Sequence, residues 1–136
     1  MGKKEILAQV KKHDVCALAT CLNNKPEAAA VSFVVDDNFV FYLVTSKFYR
    51  KYRNLARNKN VSLVIGFGIP TVQVDGKAEF LKSSEIELIR PFIIEKLPDT
   101  EDFLKQKDMV FIKIKPTYLR MTKFILGEYK IEELKF

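Results

Sequence analysis

Three short apolar segments separated by turn signals constrain this chain more than any other feature. Val15 to Leu22 is rich in small and apolar residues and ends at Asn23-Asn24-Lys25-Pro26. Glu27 to Val35 follows and is closed by Asp36-Asp37-Asn38, and Phe39 to Val44 is the third. Segments of this length bounded by Asn, Asp and Pro clusters read as strands, and connections this short join antiparallel neighbours. The pattern predicts a three-stranded meander that the remaining elements must close.

Further along, Val61 to Phe67 reads as a buried strand ended by Gly68-Ile69-Pro70. Gly66-Phe67-Gly68 is no dinucleotide fingerprint, because no helix follows and the third glycine is missing. Thr71 to Lys82 alternates as a strand, and Asp75-Gly76 inside it is either a hairpin turn or, preferably, a bulge that bends one long strand around a barrel. Met109 to Lys115 and Tyr118 to Phe124 are two last strands hinged at Pro116. Helices are expected over Lys3 to Lys12, where Ile6, Leu7 and Val10 share a stripe, and over Ser84 to Lys96, opened by a Ser84/Glu87 capping box and kinked at Pro91. Thr100 to Lys107 adds a helical turn, and Gly127 to Phe136 carries Ile131, Leu134 and Phe136 on one helical stripe. The sum is an α+β fold, six or seven mostly antiparallel strands in a barrel with helices at the rim, formed as one domain over residues 1–136.

Composition narrows the function. With 48% hydrophobic and 29% charged residues the chain has the balance of an ordinary globular protein, and no apolar run approaches the roughly 18 residues of a membrane helix. Met1 to His13 lacks the apolar core of a signal peptide, so a cytoplasmic location without membrane partners is expected. Cys16 and Cys21 lie five residues apart on one strand and face opposite sides of the sheet, so they do not pair. Neither their spacing nor the single His13 makes a metal site.

Charge is concentrated in one place. No Asp or Glu occurs from Asn38 to Val74, whereas six Lys or Arg lie between Lys47 and Lys59, a number equal to the net charge of +6. A helix beginning after Ser46 would use that serine as its N-cap, with Phe48, Tyr52, Leu55 and Ala56 on a packing arc and Lys47, Arg50, Lys51, Arg53 and Arg57 on the other. Cations in a first turn oppose the helix dipole, so an anion there is favoured. The plain alternatives are a solvated basic face and a Thr45-Ser46 pair that merely caps the helix. In the second strand Ala28, Ala30 and Ser32 form a small face opposite Val31, Phe33 and Val35, suited either to tight packing against the far barrel wall or to a flat ligand.

In order, Leu18-Ala19-Thr20, the turn with Pro26, Phe41-Tyr42-Leu43-Val44-Thr45-Ser46, Arg50-Lys51 with Arg53-Asn54-Leu55, Val61-Ser62-Leu63-Val64, Val72 to Glu79 and Ile114-Lys115-Pro116-Thr117 form a set. That set resembles the FMN-binding split-barrel family of pyridoxamine 5′-phosphate oxidase and its small general-stress-protein relatives. The resemblance implies a split β-barrel that binds FMN as a homodimer, with each flavin in the groove between subunits. It implies that Thr45, Ser46, Arg50 and Lys51 hold the FMN phosphate, that the flavin ring lies along the second strand from Ala29 to Phe33 and that Thr71 reaches it, with Ala30, Ser32 and Val44 among the cofactor-binding residues. True oxidases carry an Arg early and a Lys later in the second strand, where this chain has Ala29, Ala30, Val34 and Val35. They also end in an Arg-x-His pair that this chain lacks, so pyridoxamine phosphate is not the expected substrate.

The first reading is therefore an FMN-dependent oxidoreductase of open substrate, exchanging hydride with NAD(P)H or another small molecule. No catalytic side chain stands out. A nucleic-acid module using the basic helix and its aromatics is the alternative from another class, and placing Phe48 and Tyr52 on the packing arc counts against it. A haem- or deazaflavin-binding barrel is the third.

Overall fold

A computed structural model describes residues 2–136. In chain order the elements are α1 (Lys3–Lys11), β1 (Val15–Leu22), β2 (Lys25–Ser32), β3 (Val34–Val35), β4 (Phe41–Ser46), α2 (Arg50–Arg57), β5 (Asn60–Ile65), β6 (Thr71–Phe80), α3 (Ser83–Lys96), two 3-10 turns (Pro98–Thr100 and Phe103–Lys105), β7 (Met109–Ile125) and β8 (Glu128–Lys135). No helix among the described residues is long and apolar enough to cross a membrane.

All strand pairs are antiparallel, in the order β2-β1-β5-β6-β7-β4-β3, with β8 added to β7. The two ends of that order, β2 and β3, are consecutive in the chain, so the sheet curls back on itself at Phe33, whose backbone N–H donates to Asp14 O. Inside the curl, Leu18, Phe33, Phe41, Leu43, Leu63, Ile65, Val74 and Ile112 are buried together, with Ile6 and Val10 of α1 closing one end. Outside it, α3 packs Ile93 on Val34 and Phe111, with Tyr42 and Val44 joining from β4. Alternation along β4 therefore sends Phe41 and Leu43 inward and Tyr42 and Val44 toward α3.

The bulge expected at Asp75-Gly76 is present: Asp75 pairs with Tyr118 and Gly76 with Pro116, which leaves Thr117 as the extra residue. A Cβ on Gly76 would stand 2.6 Å from Lys115 O, so only glycine lets the two backbones approach there. The bulge bends β7 without breaking it. Met109 to Ile125 is one strand where two hinged at Pro116 were expected.

Other boundaries also differ from the sequence reading. The second strand ends at Ser32, and Val34–Val35 is a separate short strand, because the curl takes place at Phe33. α3 opens at Ser83 with Lys82 as N-cap, whose N–H donates to Glu85 Oε1 at 3.2 Å, so the capping carboxylate is Glu85 rather than Glu87. Thr100 to Lys107 is represented by the 3-10 turns. The tail is a strand, not a helix: β8 pairs with β7 from Tyr118↔Lys135 to Ile125↔Glu128, and only Leu134 of its apolar stripe packs on the core.

Candidate functional site

β3 pairs with β4 only at Val34↔Tyr42 and Val35↔Phe41. Before Phe33 the chain runs in β2, which pairs with β1 instead, so β2 and β4 are left unpaired with a gap between them in the barrel wall. A cavity of about 200 Å³ fills it, lined by Ala30 to Phe33 of β2, Tyr42 to Thr45 of β4, Tyr49 and Lys51, and Ile93, Leu97, Thr100, Phe103 and Leu104 from the α3 end. Ala30 and Ser32 are exposed along it, so the small face of the second strand does not pack against an opposite wall.

Of the residues singled out in the sequence, Ala30, Ser32, Val44, Thr45 and Lys51 meet at this cavity. Thr45 is buried, and its Oγ1 is one of the few buried side-chain atoms with no hydrogen-bond partner among the described residues. A buried hydroxyl left unpaired costs about 1 to 3 kcal/mol. Lys51 lies on the rim with its Nζ 4.6 Å from the centroid of the Tyr49 ring and no carboxylate partner among the described residues. Partial burial pushes its ammonium pKa down, so the free site holds a cation short of solvation.

The other three residues are placed differently. Ser46 is not the cap of α2: the helix begins at Arg50 with Tyr49 as N-cap. The Ser46 hydroxyl donates to Asp108 Oδ2 at 2.6 Å and accepts from Phe48 N–H at 3.1 Å, which holds the turn between β4 and α2. Thr71 lies outside the cavity, its hydroxyl donating to Gly66 O at 2.6 Å. Arg50 lines a neighbouring cavity with Lys51 and is ion-paired to Glu27, Nε to Oε2, at 2.8 Å.

Glu27 overturns the expectation that no acidic residue stands near the basic helix. It comes from β2, outside the Asn38 to Val74 stretch. Buried Asn54 fixes it: Asn54 Nδ2 donates to Glu27 Oε1 at 3.0 Å and to Thr20 Oγ1 at 2.9 Å, tying α2 to β2 and β1. That hydrogen bond, with Arg50, Lys25 and Arg53 nearby, holds the Glu27 carboxyl below its ordinary pKa. The packing arc of α2 is correspondingly Asn54 and Leu55, with Tyr52 half-buried against Phe80 at 5.4 Å. Phe48 is 85% exposed and Ala56 is exposed, contrary to the arc read from the sequence.

Cys16 is no nucleophile: it is buried, and burial pushes its thiol pKa up to about 12.

The gap between β2 and β4, with its cation and orphaned hydroxyl at the end of β4, can be compared with known proteins. Residues 3–123 match the family described as pyridoxamine 5′-phosphate oxidase. The chain belongs to that family. General stress protein 26 of Bacillus subtilis is 30% identical over 125 residues, which cover 88% of this chain and 86% of that one. The solved general stress protein 26 of Bacillus anthracis is 25% identical and covers all of both chains, with a TM-score of 0.74. The oxidase-family fold is shared more distantly by a FAD-binding protein from Mesorhizobium loti, 22% identical over 88% of this chain and 90% of that one, TM-score 0.73. It is shared too by HutZ, the haem storage protein of Vibrio cholerae, 19% identical over 83% of this chain and 88% of that one, TM-score 0.73. The family fold thus serves more than one cofactor.

Proposed function

We propose that this chain is a flavoprotein that holds FMN in the gap between β2 and β4 and serves as an oxidoreductase for a small molecule or NAD(P)H. The observation that carries the reading is the Thr45 hydroxyl, buried in the same cavity as Lys51, the one with no hydrogen-bond partner and the other with no carboxylate partner among the described residues. A phosphate supplies what both lack: acceptor oxygens for the hydroxyl and opposite charge for the ammonium. Arg50 adds to this anion site once drawn from Glu27, and Ser46 acts by holding the turn that presents them.

Ala30 and Ser32 leave a flat strip with room for a ring system, and Tyr42, Val44, Leu97 and Phe103 give it an apolar border. When bound, the flavin supplies the hydride chemistry, and the chain supplies placement and charge. The family's FAD-binding neighbour supports a flavin; the HutZ likeness supports haem as a second reading. A haem ligated by histidine is disfavoured by His13, the single histidine, which is absent from the cavity lining.

The site is completed by a second copy of the chain. About 200 Å³ is less than the roughly 300 to 1,000 Å³ of most ligand sites, so a flavin seated here stands partly outside it. Ala28, Ala30 and Ser32 on β2 and Phe48 beyond β4 are exposed beside the cavity and offer the surface for that copy, from which Thr71 reaches the flavin. Purification with added FMN, followed by an absorption spectrum and sedimentation equilibrium, tests the reading. Flavin bands on a dimer are expected; a Soret band or a flavin-free monomer contradicts it.

A further inference from the structure

Past Arg50, α2 carries Arg53 and Arg57 one turn apart, about 6 Å along its axis. Both line a groove of about 400 Å³ whose other wall is the β1–β2 hairpin, with Leu22, Asn23 and Lys25. Lys25, Arg53 and Arg57 are exposed, and none of them forms an ion pair among the described residues. The groove shares no lining residue with the Thr45 cavity, and the Glu27–Arg50 pair that lines it also lines the cavity beside Lys51. An anion held at Thr45 and Lys51 therefore leaves these three cations uncompensated.

A sequence pI of about 9.3 with arginines set along one helix is the electrostatic footprint of a nucleic-acid binder. Glu27 is the one acidic residue in the lining, and it is already held by Asn54 and Arg50. Tyr52 is turned onto Phe80, so the groove meets a strand through its phosphates rather than by stacking. Asn23 and Asn24 form the hairpin turn at φ of 52° and 63°, and the exposed Asn23 amide has no hydrogen-bond partner among the described residues. That amide offers both a donor and an acceptor to a base edge. α2 is seated in the barrel by Asn54 and Leu55 and flanked by the hairpin, so it cannot enter the major groove of a duplex as a recognition helix does. The space between helix and hairpin suits one strand.

We propose that the Lys25–Arg53–Arg57 groove binds single-stranded nucleic acid through its phosphate backbone, with Asn23 set against a base edge. The proposal stands apart from the flavin reading, since it uses none of the residues assigned to the flavin. A fluorescein-labelled single-stranded oligonucleotide of mixed sequence is titrated by anisotropy over a range of salt concentrations. The proteins compared are wild type, an Arg53→Ala/Arg57→Ala double variant, Lys25→Glu and Lys51→Ala, with urea unfolding to check that each is folded. Wild type is expected to bind with a slope of log affinity on log salt of about −2, three phosphates at about 0.7 each. The double variant is expected to lose about tenfold or more in affinity at low salt, with its slope reduced by about 1.4. Lys25→Glu, on the opposite wall, should also weaken binding, and Lys51→Ala should leave it unchanged. No binding by wild type at low salt, or equal binding by the double variant, overturns the proposal. A loss in Lys51→Ala as large as that in the double variant overturns it too, because the anion then sits in the Thr45 cavity. Equally tight binding of a duplex overturns the single-strand assignment, and poly-glutamate that displaces the oligonucleotide at equal charge concentration overturns the proposal in favour of an acidic protein partner.

Discussion

Arg50 Nε lies 2.8 Å from Glu27 Oε2, so one of the two cations expected to face a flavin phosphate is already paired within the chain. Arg50 is 69% exposed, and a pair of that kind contributes at most about 1 kcal/mol to stability. Its larger effect is on binding, because the phosphate must draw the guanidinium from a carboxylate. Glu27→Gln keeps an acceptor for Asn54 and releases Arg50. The variant is expected to bind FMN up to about tenfold more tightly, with thermal stability changed by no more than about 1 kcal/mol. Weaker FMN binding in a fluorescence titration would count against the competition.

Asn54 is the polar residue on which α2 is seated. Asn54→Ala removes the donor to Thr20 and Glu27 together and is expected to cost about 2 kcal/mol in urea unfolding. The pH dependence follows from the lowered Glu27 pKa: its stabilisation is present above the ordinary carboxylate range and is lost as pH falls through the lowered value. The variant should therefore lose less stability on acidification than wild type does. Equal acid slopes for the two proteins would contradict the role given to this hydrogen bond.

Thr45→Val separates folding from binding. Replacing an unpartnered buried hydroxyl with a methyl removes a desolvation penalty, so the ligand-free variant should be more stable by about 1 kcal/mol. FMN affinity should fall by about tenfold over the same substitution. A variant that is less stable and binds FMN normally would show that the hydroxyl serves the fold.

Lys51 sets the alkaline limit. Its folded-state pKa is lowered, so the free protein binds fewer protons at this group than the unfolded chain, and stability rises with pH from the lowered value up to about 10.4, the ordinary lysine pKa. A bound phosphate favours the charged ammonium. FMN affinity is thus expected to fall as pH rises through the lowered Lys51 pKa, earlier than for a lysine in water. Titrations across pH 7 to 10 in wild type and Lys51→Arg check this, since the arginine stays charged and should remove the decline.

Much of the barrel is legible in the sequence because its strands are bounded by local signals. Val15–Leu22 runs between Asp14 and an Asn-Asn turn, and Gly76 sits where the bulge requires it. The tail reads as a helix because Ile131, Leu134 and Phe136 suit a helical stripe, while its pairing with β7 is a long-range contact that no local pattern displays. The site divides the same way. Thr45 and Lys51 were visible as residues at a strand end and a helix start, and the structure brings them together with Ala30 and Ser32. Ser46 reads as a cap until Asp108, 62 positions away, takes its hydroxyl. Glu27 was hidden for the same reason: a carboxylate from the second strand neutralises an arginine of α2 only once the sheet has curled.

Under the proposed function, the Thr45–Lys51 end of the β2–β4 gap binds a flavin through its phosphate. Titration of the protein with FMN and with riboflavin, in wild type and Lys51→Ala, tests it most directly. FMN is expected to bind wild type at least tenfold more tightly than riboflavin, and Lys51→Ala to remove most of that difference while leaving riboflavin binding nearly unchanged. Equal affinity of the wild type for FMN and riboflavin would contradict it.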